Sequence, residues 1–255
     1  MPDALWSALQ TEGLIWLFAA IVAAGLVRGF SGFGSAMIIM PAASSVLTPF
    51  GAITFLIIVE LVGPLPNLPD ALREGHRGDA LRLILGAAVT LPLGLWGLSL
   101  MAPEIFGWAV SGIVLVLLCL LMLGVRYRGY LHPPLVFGAG GLGGFLAGVS
   151  GLPGPPVIML YMASTQAIAV IRANFLLYLL AIDVLMLTGF AVLGQLRAEP
   201  VVIGFLLIVP YVMANMAGAQ LFDPGQEGRF RAVAYTIIAA SALLGLPIWS
   251  GSHAP

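Results

Sequence analysis

Two serines sit in matching glycine frames, Gly29-Phe30-Ser31-Gly32 and Gly148-Val149-Ser150-Gly151. A hydroxyl in such a frame can attack a carbonyl only if a base activates it, and that base is usually histidine. The three histidines, His76, His132 and His253, fall in loops or at the terminus. An intramembrane serine protease is therefore set aside, and the chain is not expected to be an enzyme. The second chemistry is binding. Glycines let the backbone turn sharply and approach a ligand, and the start of the next helix offers N–H groups that hold anions. On this reading Arg28, Gly29, Ser31, Gly32, Gly148, Ser150, Gly151 and Pro153 are substrate-binding candidates. The alternative is close helix packing through small residues.

Two acids stand alone within apolar stretches, Glu60 and Asp183. An acid at the bilayer centre costs about 2.5–3.5 kcal/mol on insertion scales and faces a cavity or a partner. The pair are candidate carriers of a coupling proton, or hydrogen-bonded ties between helices. Arg28 and Arg172 flank the serine motifs and their following segments, and an arginine can hold a carboxylate or sulfonate with two parallel bonds. Snorkelling to head groups is the alternative, favoured more for Arg172. Asn174 is a further substrate-binding candidate, and Tyr161 and Tyr178 are plausible donors lining a cavity, although a membrane tyrosine is more often an interface anchor. The group Asp70, Arg73, Glu74, His76, Arg77, Asp79 and Arg82 reads as an ordinary cytoplasmic loop.

The elements that must position these residues are membrane helices. Of 255 residues, 60% are hydrophobic and only 8% are charged, and the mean hydropathy is +1.08. A soluble domain carries about a quarter charged residues, so a soluble fold is excluded. The net charge of -1 offers no basic field for nucleic acid. Cys119 is the single cysteine and forms no internal disulfide. The residues from Met1 to Glu12 lack the positive segment of a secretory signal, so no cleaved leader is expected. No zinc spacing or phosphate loop is present, and no metal or cofactor is expected.

Apolar runs predict helices near 13–28, 33–47, 51–69, 82–101, 105–124, 133–148, 154–166, 173–194, 200–221 and 230–249. Four are short enough to be half-helices or re-entrant hairpins, which leaves eight to ten membrane segments. An internal repeat explains the pattern. Gly25, Gly29, Ser31, Gly32, Ile39, Met40 and Ser45 match Gly144, Gly148, Ser150, Gly151, Ile158, Met159 and Ser164 at one constant offset. A small loop insertion aligns Glu60 with Asp183, and Pro92 aligns with Pro210. The membrane domain thus divides into a first repeat, 1–125, and a second, 126–255, with the junction near 126–132.

If each Gly-Ser-Gly break is a tip or tight turn, the repeats are inverted. Arg73, Arg77, Arg82, Arg126, Arg128, Arg172, Arg229 and Arg231 then share one side, and Arg197 falls on the other. Basic bias marks the cytoplasmic face, so this arrangement is preferred over parallel repeats. The expected architecture is an all-α integral membrane protein of two inverted, pseudo-symmetric repeats with broken helices. Matching breaks in inverted halves point to a transporter's binding site, expected near mid-membrane between the two motifs.

The order and spacing of these motifs resemble the TauE/SafE sulfite-exporter family over about residues 13–249. The likeness is carried by the two Gly-Ser-Gly breaks, each opening a Pro-rich or Met-rich half-helix. Arg73-Glu-Gly-His-Arg-Gly-Asp-Ala-Leu-Arg82, Arg172-Ala-Asn-Phe-Leu-Leu-Tyr178 and Gly228-Arg-Phe-Arg-Ala232 add to it. The sequence departs from the family pattern at Pro153, where another glycine is expected, and at Asp183, where a neutral polar residue is expected. The resemblance implies export or uptake of small anions such as sulfite, organosulfonates or similar carboxylates across the cytoplasmic (inner) membrane. An anion channel and a membrane scaffold without transport are the alternatives. The partners expected are a small anion and the lipid bilayer, with no nucleic acid; a homodimer is compatible with the residues but not required by them.

Overall fold

The structure is a computed structural model, and it describes residues 10–61, 65–124, 131–161, 166–221 and 223–248. Ser164 of the internal match, Arg126 and Arg128 of the expected junction, and the terminal His253 lie outside the described residues.

Among the described residues the secondary structure is helical throughout. The order is α1 (Leu14–Ser31), α2 (Ser35–Val46), α3 (Pro49–Leu61), a 3-10 turn (Leu65–Asn67), α4 (Leu68–Glu74), α5 (Arg77–Ser99) and α6 (Pro103–Met122). There follow α7 (Pro133–Ser150), α8 (Gly154–Tyr161), α9 (Ile168–Val192), α10 (Ala198–Leu221), a 3-10 turn (Pro224–Gln226) and α11 (Glu227–Leu244). Six of these, α1, α5, α6, α7, α9 and α10, are long and apolar enough to cross a membrane. Two shorter apolar helices, α2 and α3, accompany them. The chain is thus an all-α, multi-pass membrane protein.

The boundaries follow local chemistry. Pro133 and Pro134 open α7, where a missing N–H costs nothing. The expected helix over 51–69 stops at Leu61, and α4 begins separately at Leu68. The loop expected before residue 82 is helical from Arg77. His76 caps that start by accepting the Asp79 N–H at 3.2 Å on Nδ1. α11 is eighteen residues long but is not among the six apolar helices; Glu227, Arg229 and Arg231 occupy its opening turns.

The chain forms two compact units. Unit 1 comprises 1–60, 101–119 and 196–255; unit 2 comprises 61–100 and 120–195. Neither unit is one continuous stretch of the chain. In unit 1 the break-bearing helix α1 packs most closely on α10, which contains Pro210. In unit 2 the corresponding helix α7 packs most closely on α5, which contains Pro92. Each unit thus pairs a break-bearing helix with a proline-bearing helix distant in sequence.

The same packing chemistry serves both pairs. A Cβ on Gly29 would run into the Asn215 carbonyl, and one on Gly218 into the Leu26 carbonyl. A Cβ on Gly86 would meet the Phe137 carbonyl, and one on Gly140 the Leu83 carbonyl. Small residues let backbones approach this closely, which is how membrane helices gain packing energy where no hydrophobic drive separates them from lipid. Thr90 adds a bond across α5 and α7, its hydroxyl donating to the Gly141 carbonyl at 2.6 Å. In unit 1, Ser241 of α11 donates to the Ile38 carbonyl of α2 at 2.7 Å. The opposite face of α5 carries Leu85, Val89, Leu93 and Trp96, all exposed at helical spacing. That is a stripe suited to lipid.

Gly218→Leu and Gly86→Leu are each expected to destabilise the purified protein by about 1–3 kcal/mol through overpacking. Gly112→Ala, where a Cβ meets nothing within 4 Å, is expected to be neutral. Thermal unfolding in detergent measures both; equal melting of all three variants would overturn the packing role.

Candidate functional site

The first break lies in unit 1. α1 ends at Ser31, and Gly32 follows with φ 78°, its N–H donating to the Arg28 carbonyl at 2.8 Å. Gly34, with φ 92°, leads into α2 at Ser35. Two left-handed residues in three positions need glycine. A side chain on Gly32 would meet nothing within 4 Å, so this glycine opens onto free space. Gly29 instead faces the backbone of α10, the small-residue packing that the sequence left as its alternative. The Ser31 hydroxyl lies 2.6 Å from the Val27 carbonyl and 2.7 Å from the Phe33 carbonyl. Its single proton is thus used to close the turn.

Arg28 and Glu60 come together at this break. The Arg28 guanidinium donates to Glu60 Oε1 at 3.1 Å and to Ser35 Oγ at 3.0 Å. Ser35 in turn donates its hydroxyl proton to Glu60 Oε1, and the Tyr211 hydroxyl reaches the same oxygen at 3.4 Å. Four helices, α1, α2, α3 and α10, therefore meet on one carboxylate oxygen. All three partners donate, so this oxygen serves as the common acceptor. The side chains of Arg28 and Glu60 are 23% and 16% exposed, so the pair is mostly enclosed but not sealed. Ser35 and Tyr211 are functional candidates that sequence reading missed. Ser35 carried a signal, since a serine directly after a glycine break opens a helix; Tyr211 carried none.

The second break lies in unit 2. α7 ends at Ser150, and Gly151 follows with φ 71°, its N–H donating to the Ala147 carbonyl at 2.9 Å. Ser150 is fully buried, and its hydroxyl donates to the Leu146 carbonyl at 2.8 Å. As at Ser31, the proton is committed to the backbone. Gly148 is pressed against Gly94 and Leu95 of α5. The carbonyl of Pro153 accepts from the buried Tyr178 hydroxyl at 3.3 Å, which ties the break to α9. Gly143 leaves the space that this hydroxyl occupies.

Asn174 of α9 is fully buried, while Arg172, two residues before it, is exposed. The Tyr161 hydroxyl lies beside Asn174. Asp183 is partly exposed on α9 and has a polar partner. Counted from the helix starts, Glu60 is residue 12 of α3 (60 − 49 + 1) and Asp183 residue 16 of α9 (183 − 168 + 1). The two acids therefore differ by four positions, about one helical turn. Asp79, read from sequence as part of a loop, is only 5% exposed. It accepts from Arg82 at 2.8 Å and from Gln166 at 3.0 Å.

The family model for the sulfite exporter TauE/SafE matches residues 17–244, which include both breaks and every residue of the Arg28–Glu60 cluster. No curated protein and no solved structure matches the chain.

The cluster predicts non-additive energetics. Removing one partner of an enclosed ion pair leaves an uncompensated charge, whereas replacing both does not. Arg28→Met and Glu60→Met are each expected to lower the melting temperature, and the double variant to melt higher than their summed effects predict. The expected coupling is about 1–3 kcal/mol. Additive losses in a thermal-unfolding cycle would show that the contact contributes nothing.

Proposed function

The chain belongs to the sulfite exporter TauE/SafE family, and on that premise we propose that it is a secondary transporter of small sulfur-bearing anions in the cytoplasmic membrane. The family is one of membrane transporters, and this chain has the multi-pass helical body such a protein needs. The observation that carries the reading is the charge pair at a helix break. Arg28 and Glu60 sit where α1 stops and α2 starts. Irregular backbone and ionisable groups are tolerated within a membrane domain where they line a cavity or pathway.

The chemistry follows from the shared carboxylate oxygen. While Glu60 is ionised, it neutralises Arg28 and occupies the Ser35 hydroxyl. A proton on Glu60 removes that negative charge. Arg28 and Ser35 are then released to an incoming oxyanion, together with the N–H groups of the first turn of α2. Charge is conserved in that exchange: one proton and one monovalent anion enter as a neutral pair. Transport then proceeds by alternating access. Asp183 is the second candidate carrier of a proton. At the other break, Gly151 has to stay a glycine, because its φ of 71° is strained for any side chain.

Purified protein in proteoliposomes tests the reading with sulfite, sulfoacetate, taurine and simple carboxylates, with and without a pH gradient. The expected result is saturable uptake of at least one sulfur-bearing anion, accelerated by an inward proton gradient. Glu60→Gln is expected to abolish that acceleration, and Gly151→Leu to insert in the membrane but carry flux at least about tenfold lower. Non-saturating flux indifferent to the gradient would establish a channel. A Glu60→Gln variant that still follows the gradient would move the coupling proton elsewhere.

A further inference from the structure

Three donors in unit 1 aim at one point. Arg28, Ser35 and Tyr211 all reach Glu60 Oε1, and they arrive from three helices, α1, α2 and α10. Two of the three are fixed by burial, Ser35 being 1% exposed and Tyr211 2%. The backbone of Tyr211 is held as well, since its carbonyl lies 2.6 Å from where a Cβ on Gly25 would sit. The Tyr211 oxygen is also within bonding reach of Arg28 and Ser35. Arg28 has only protons to offer, so the Tyr211 oxygen accepts from it and its own proton turns to Glu60. That bond is long, at 3.4 Å, where hydroxyl-to-oxygen bonds centre near about 2.7–2.8 Å. An acceptor oxygen placed nearer α10 would satisfy this hydroxyl better than Glu60 does. The point is also within reach of an entering solute. The Arg28 and Glu60 side chains are 23% and 16% exposed, and Gly32, bonded to the Arg28 carbonyl, opens onto free space.

We infer that the Tyr211 hydroxyl is a direct ligand of the transported anion, and that Glu60 Oε1 stands where an anion oxygen binds. The inference rests on the transporter reading, and it adds to that reading a binding residue and a built-in competitor. An ionised carboxylate and a sulfur oxyanion both present negative oxygens that only accept. Donors converging on the one are therefore placed for the other. Glu60 is the penultimate residue of α3, and its carboxylate leaves the point by side-chain rotation. The entering anion then inherits Arg28, Ser35 and Tyr211 where they already stand. Donors held in advance bind a ligand without the cost of ordering them. The rival role for Tyr211 is to tie Glu60 down. The two roles predict opposite signs. Loss of a ligand weakens anion binding, whereas loosening a competitor strengthens it.

The test is calorimetric binding of methanesulfonate and of sulfite to the full-length protein in detergent, at one fixed pH. Glu60→Gln keeps the shape of the competitor and removes its charge, and it is expected to bind at least one probe about tenfold or more tighter than the wild type. Tyr211→Phe removes a single oxygen and is expected to bind that probe about tenfold weaker. The same loss is expected when Tyr211→Phe is added to Glu60→Gln, because the hydroxyl serves the anion whether or not the competitor is charged. Tyr211→Phe binding as tightly as its parent, or tighter, would overturn the inference and leave Tyr211 as a tie on Glu60. Glu60→Gln binding no tighter than the wild type would overturn the shared position. Should Glu60→Gln fail to fold, the sign of the Tyr211→Phe change in the wild-type background still decides. Binding of neither probe to any of the proteins would overturn the inference as well. Sulfite flux in proteoliposomes would then preserve the transporter reading, and its absence would sink both.

Discussion

A break in a helix within hydrocarbon leaves amide and carbonyl groups with no water to receive them. Each of the two breaks in this chain closes its backbone in the same way. At each break a left-handed glycine turns the chain and returns its own N–H to the helix just ended, from Gly32 to Arg28 and from Gly151 to Ala147. At each break the preceding serine spends its hydroxyl proton on a carbonyl of the last turn. In both motifs the serine hydroxyl thereby fastens the backbone at the break.

Those fastenings work only because the broken helices are held tightly from the side. α1 meets α10, and α7 meets α5, through glycines that admit another helix's backbone. Packing without side chains brings carbonyls and small residues into contact over a long seam. It also fixes where Arg28 and Tyr211 point in unit 1, because each is carried on one of the two helices in that seam. That framing holds the Arg28–Glu60 pair in one geometry.

Much of the architecture was legible in the residues. The breaks at 32–34 and 151–153 were readable because glycine and proline interrupt helices for local reasons, and because the interruption occurs twice in one frame. Long apolar runs announced the spanning helices, since a span has to match the hydrocarbon thickness. Local signals failed where a tertiary partner decided the outcome. Asp79 sits among charged residues and looked like part of a solvated loop. Its burial depends on Gln166, which is 87 positions away. Glycines 29 and 148 offered both a binding and a packing reading, and only the neighbouring backbones distinguish them.

By itself, then, the sequence determined membrane residence, helical class, the two breaks and family membership, because composition, run length and motif order are local properties of the chain. The tertiary structure alone decided which polar groups meet. Glu60 lies 32 positions from Arg28 and 151 from Tyr211, and no periodicity or spacing connects residues on separate helices. It also decided that each compact unit combines segments distant in sequence. Such pairings are set by which helix faces can approach most closely, a property of surfaces that exist only after the helices have formed.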